Sequence, residues 1–159
     1  MEISRKTDYA LRMLAALVQN PEGVVSVRTA AKDNDIPYSF ARSIQHDLAL
    51  AGIVESTRGA HGGMRLAVDP RATSLLKLVE AVQGPVLIAA CDYAGEGGGP
   101  CPRMAECHFN LVWCNAERVL CAYFDSVTLY QVVMEGKMPQ MTGSFKLVGS
   151  KRKPKATDE

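Results

Sequence analysis

In Val54-Glu-Ser-Thr-Arg58, Gly59-Ala-His-Gly-Gly63, Met64-Arg-Leu-Ala-Val68, two short alternating runs flank a glycine-rich centre. Met64, Leu66 and Val68 fall on one side of an extended chain, as period-two alternation requires. The centre has the composition of a hairpin tip, with Arg58 at its base and His61 near its apex. A lone hairpin of this kind is an ordinary surface turn. Its meaning comes from what precedes it.

Immediately upstream, a helix is predicted to open near Pro37 and to stop at Gly52, which sits where a left-handed C-terminal residue belongs. Phe40, Ile44, Leu48 and Ala51 form its expected inner stripe. Ser39, Arg42, Ser43 and His46 share the other side: two hydroxyls, a guanidinium and an imidazole suited to base edges and phosphates. Two further helices are predicted before it. One runs from about Ser4 to Val18, its apolar face carrying Ala10, Leu11, Leu14, Leu17 and Val18, and Asn20-Pro21-Glu22-Gly23 ends it. The second is short, capped by Ser26 and broken by Asp33-Asn34-Asp35. Three short helices followed by a hairpin give a winged helix-turn-helix, mainly α with a small β wing. Its third helix would enter the major groove, with Arg58 and His61 carried toward the backbone or minor groove.

The whole chain has 159 residues, enough for one domain with an appendage. A net charge of +1 gives no global case for a nucleic-acid partner, so that case rests on local placement. No apolar run is long enough to cross a bilayer, and the first residues lack the apolar core of a secretion signal. A cytoplasmic protein without a membrane partner is expected.

Beyond Pro70, Thr73 is the expected cap of a fourth helix with Leu75, Leu76, Val79 and Val82 inward, ended by Gly84-Pro85. A long helix is predicted from about His108 to Asp125. Trp113, Ala116, Leu120, Tyr123 and Val127 form a seam of coiled-coil spacing along it. It carries more apolar surface than one small domain can cover, which implies a second copy of the chain. Thr128 and Gln131 have capping-box spacing for a last short helix. The division expected is 1–83 for DNA binding, 84–135 for a cysteine loop and dimerisation helix, and 136–159 as a disordered basic tail.

Between these helices, Cys91, Cys101 and Cys107 lie in a segment rich in Gly and Pro with almost nothing to bury. Such a loop cannot fix its shape by packing. Converging thiols imply a disulfide, a zinc ion or an iron–sulfur cluster. A reducing compartment and an odd count of five cysteines favour metal. Cys121 reads as a small buried apolar residue, and Cys114 less firmly so. No nucleophile–base–orienter set is legible, so an enzyme is not expected.

Together, Thr7-Asp-Tyr-Ala-Leu-Arg12, Leu50-Ala-Gly-Ile-Val-Glu-Ser-Thr-Arg-Gly59, Gly62-Gly63 and the C-x9-C-x5-C loop resemble iron–sulfur winged-helix repressors of the IscR, NsrR and RirA type. The resemblance runs from residue 1 to about Val133. It implies a transcriptional repressor that binds a two-fold DNA operator as a homodimer. Operator affinity would be governed by a cluster sensing nitric oxide, iron or redox state. It implies Cys91, Cys101 and Cys107 as ligands, and Ser39, Arg42, Ser43 and Arg58 as DNA contacts. IscR-like members carry a histidine ligand three residues after the last loop cysteine, where this chain has Asn110. A four-iron cluster is therefore favoured over a two-iron one, with Asp8 as an oxygen ligand from the partner chain and Cys114 and His108 as rivals. The alternatives are a zinc-stabilised protein, its site closed by His108 or His61, and a thiol–disulfide switch between Cys101 and Cys107.

Overall fold

The computed structural model describes residues 2–57, 59, 62–89, 101, 104 and 106–135. Its first helix, α1 (Arg5–Gln19), opens at Ser4, whose hydroxyl accepts from the Thr7 N–H. Ser26 caps α2 (Val27–Asp33) in the same way through Thr29 N–H. Each cap satisfies a donor that the first turn leaves open. Asp35, in the left-handed region at φ 53°, reverses the chain into α3 (Tyr38–Leu50). Gly52 at φ 66° then releases it into β1 (Val54–Thr57).

Ala10, Met13, Leu14 and Leu17 of α1 share a core with Ala30 and Ala31 of α2 and Ala41, Ile44 and Leu48 of α3. Burying each larger aliphatic side chain here contributes about 1.5–3 kcal/mol. Phe40 is not part of that stripe. Ala41 takes the inward position, and Phe40, 49% exposed, meets the edge of Tyr9 at 6.4 Å between ring centroids. The Phe40 ring lies at the rim between α1 and α3, against Tyr9, while Ala41 is fully buried.

The wing is antiparallel, β1 against β2 (Gly63–Leu66), with Val54 opposite Leu66 and Thr57 opposite Gly63. The second strand ends at Leu66, sooner than the sequence suggests, although Met64, Leu66 and Val68 still turn inward while Arg65 and Ala67 face solvent. A third segment joins. Val25 and Met64 exchange both backbone hydrogen bonds at 2.9 Å, fastening the wing to the α1–α2 connection.

The fourth helix, α4 (Leu75–Gln83), is capped by Ser74 rather than Thr73. The Thr73 hydroxyl is already committed to the Asp69 carbonyl at 2.8 Å. Leu78, Val79 and Val82 are buried, while Leu75 and Leu76 are only half-covered. The long helix, α5 (Asn110–Ser126), packs on α4 and buries none of its residues fully. The reciprocal Thr128–Gln131 bonds expected of a capping box are present at 2.9 and 3.2 Å, but they open a single π-helical turn, Gln131–Glu135. The fold is the winged helix expected from the hairpin. No helix among the described residues is long and apolar enough to cross a membrane.

Candidate functional site

Because Ala41, Ile44 and Leu48 face the core, Ser39, Arg42, Ser43 and His46 necessarily face out, and all four are exposed. Two ties fix the helix that carries them. Lys6 of α1 forms an ion pair with Asp47. Gln45 donates to the Ser56 hydroxyl of β1 at 3.0 Å, linking helix to wing. The polar face is thus rigidly mounted while its own side chains stay free to meet a ligand.

On the wing, Arg65 is engaged by Glu55 through two hydrogen bonds of 2.7 and 3.1 Å to one carboxylate oxygen. Arg58 and His61 lie outside the described residues. Arg28 of α2 was not reached by a reading of the third helix alone. Its guanidinium lies over the ring of Tyr38, the first residue of α3, at 5.2 Å from the centroid. A contact of this kind at an exposed site contributes about 0.5–1 kcal/mol. No single-helix periodicity could reveal it, because the two residues come from different helices.

Of the expected cluster ligands, Cys101 and Cys107 are part-exposed free thiols, and Cys91 lies outside the described residues. No group of three or more metal-ligating side chains comes together among the described residues. The donor set can nevertheless be tested against an iron–sulfur cluster. Free thiols in a loop without core packing are the ligands such clusters use. Asn110 supplies a second observation: its Nδ2 is buried and has no acceptor among the described residues. Sulfur atoms of a cluster accept such hydrogen bonds, so an orphaned amide donor three residues after Cys107 suits one. The residues present fit the group.

Asp8 projects from α1 into solvent and pairs with Arg12 at 2.8 Å. His108 is exposed just ahead of α5, and Cys114 donates to Asn110 Oδ1 at 3.8 Å. Cys121 lies toward α4. Burial first, then the negative charges of Glu117 and Glu80, pushes its thiol up in pKa. A protonated thiol is a poor metal ligand.

Residues 3–135 match the Rrf2 family, described as an iron-dependent transcriptional regulator. The HTH-type transcriptional repressor NsrR of Streptomyces coelicolor is 29% identical over 145 residues, covering 90% of this chain and 95% of that one. The crystallised CymR of Bacillus subtilis, titled its global cysteine regulator, superposes with a TM-score of 0.65 at 25% identity, covering 85% of this chain and 98% of that one. An IscR from T. potens shares the fold, with a TM-score of 0.62 at 23% identity over 91% of this chain and 94% of that one. A family match over most of the length, on a winged helix with an exposed polar face on α3, leaves one assignment: the chain belongs to the Rrf2 family of DNA-binding transcriptional regulators, not enzymes.

Proposed function

We propose that the protein is an operator-binding repressor whose DNA affinity is set by an iron–sulfur cluster. The ligands are Cys91, Cys101 and Cys107, with Asp8 of the partner subunit as an oxygen donor. The donor set supports this reading: part-exposed free thiols at Cys101 and Cys107, and a buried Asn110 amide donor with no acceptor among the described residues. The family's description as iron-dependent supports it. When bound, the cluster supplies iron–sulfur bonds that nitric oxide, oxidants or iron scarcity can break.

The chain's own residues do the rest. Residues 1–83 form the reading head, and Ser39, Arg42, Ser43 and His46 of α3 meet the major groove, with Arg58 and His61 at the wing. Residues 84–135 carry the loop and α5, through which two copies associate, setting their third helices roughly 34–36 Å apart on a two-fold operator. Asp8 must leave Arg12 to become a ligand. An exposed pair of this kind is worth at most about 1 kcal/mol, so the exchange costs little. Loop order then biases the tilt of the two heads, with a coupling free energy of about 1–3 kcal/mol.

Purification without air, followed by an absorption spectrum and native mass spectrometry, tests this. The expected result is a brown dimer with a broad visible band, with iron and sulfide in its mass. A colourless protein that binds zinc, or that only forms a Cys101–Cys107 disulfide on oxidation, would replace the cluster with one of those devices.

A further inference from the structure

We infer that Arg28 is a DNA-phosphate contact, held ready for its ligand by the ring of Tyr38. The inference rests on the DNA-reading role of α3, since it places a second anchor beside that helix. Three observations carry it. Arg28 is exposed and has no carboxylate partner among the described residues, whereas Lys6, Arg12 and Arg65 are each neutralised by an acid of this chain. Its guanidinium is not left to wander, because the Tyr38 ring sits 5.2 Å away. Tyr38 directly precedes Ser39, so the stacked pair borders the exposed face formed by Ser39, Arg42 and Ser43.

The chemistry of the contact matters. A carboxylate partner would occupy the N–H edge of the guanidinium. The Tyr38 ring, 5.2 Å from the guanidinium carbon, neutralises no charge and accepts none of the conventional hydrogen bonds that a carboxylate would take. The guanidinium N–H donors match two oxygens of a phosphate diester, the recognition for which arginine is best suited. An exposed arginine held near a ring, with no acid partner among the described residues and beside a proposed reading helix, suits an anion. The anion that a DNA-binding regulator meets there is the backbone flanking the bases under α3.

A phosphate contact carries no sequence information and releases a counterion, so random-sequence duplex DNA is a sufficient probe. The salt dependence of binding is measured for the full-length wild type, Arg28→Ala, Arg28→Lys, Tyr38→Phe and Tyr38→Leu. Loss of one phosphate contact should lower the slope of log affinity against log salt by about 0.9. That loss is expected in Arg28→Ala and not in Arg28→Lys. Tyr38→Phe should bind as wild type and Tyr38→Leu more weakly. A wild-type slope retained by a folded Arg28→Ala overturns the inference while leaving the DNA-reading role intact. Equal losses in Tyr38→Phe and Tyr38→Leu would move the contact to the tyrosine hydroxyl and also overturn it. A wild type that does not bind duplex DNA removes the DNA-reading role and the inference together.

Discussion

Gln83, the last residue of α4, accepts the Thr7 hydroxyl on its side-chain oxygen at 2.7 Å, across a sequence separation of 76 residues. The same oxygen accepts the Ser4 N–H at 3.0 Å, and its amide nitrogen donates to the Glu2 carbonyl at 3.3 Å. Thr7 is only 1% exposed, so its hydroxyl has no recourse to water. One amide thus closes the start of α1 against the end of α4.

Thr7→Val and Gln83→Leu should each destabilise the fold by about 0.5–1.5 kcal/mol, because each removes their shared hydrogen bond while the surviving partner keeps a contact to Ser4. The double variant should lose less than the sum of the two, since their shared bond is lost only once. Urea denaturation of the four proteins measures this. Strict additivity would show that the two side chains do not act as a pair.

Gly63 marks the place where the wing is fastened. A Cβ there would lie 2.5 Å from the Val25 carbonyl oxygen and 2.8 Å from its carbon, both backbone atoms that cannot step aside. Gly63→Ala should cost about 1–3 kcal/mol as an overpacked site. It should also speed amide exchange at Val25 and Met64, which share two hydrogen bonds. A melting temperature and exchange rates equal to wild type would show that the strands part without cost.

Arg42 is the best placed of the α3 residues to read a base, being an exposed guanidinium one helical turn from Ser39 and mounted opposite the core. Arg42→Ala should lower operator affinity by about 1–3 kcal/mol while leaving random DNA nearly unaffected. Competition binding with operator and random duplexes reads the difference. Equal losses on both would make it a backbone contact instead.

The thiol of Cys121 titrates above its ordinary range because of burial and the carboxylates of Glu117 and Glu80. Less thiolate at a given pH means slower alkylation, so Cys121 should react with iodoacetamide more slowly than a free thiol at pH 8. Glu117→Gln should accelerate it. The linkage runs in the same sense. The folded state holds this proton longer, so the associated stability is complete below the ordinary thiol pKa and is lost as pH rises through the raised one. Mass-resolved alkylation checks the rates.

Trp113 and Val112 lie exposed on α5, a helix that buries none of its residues fully. Trp113→Glu should shift the protein from dimer to monomer and weaken operator binding with it, as sedimentation and band-shift titration would show. A charged seam that still sediments as wild type would place the dimer contact elsewhere.

How much of this could be read from the sequence follows the range of the forces involved. Local devices were legible. Ser26 caps, Gly52 takes a positive φ, and Thr128 and Gln131 bond reciprocally, because each depends on residues within four positions. The outward set of α3 was legible too, since an inward stripe at helical spacing dictates its complement. Choices between equals were not. Thr73 and Ser74 both make sound caps, and only the Asp69 carbonyl decides between them. Phe40 and Ala41 both fit a periodic stripe, and only the packed fold shows Ala41 buried and Phe40 half-exposed. The Arg28–Tyr38 stack and the Gln83 bridge join separate elements, and no spacing rule reaches that far. The cysteines were visible as a set, but Cys91 lies outside the described residues, and the sequence could not choose among ions.

Leu129 has a consequence for how the molecule is made. It is 1% exposed, within a core whose other members run from Ala10 to Val82. It is held there by hydrogen bonds from Leu129 N–H to Thr73 O and from Leu75 N–H to Val127 O. On the ribosome, synthesis proceeds from the N-terminus, and early segments begin to fold first. The last member of that core is therefore translated after the whole cysteine segment and long helix. A nascent chain completes the core beneath the proposed reading head only once the part proposed to hold the sensor already exists.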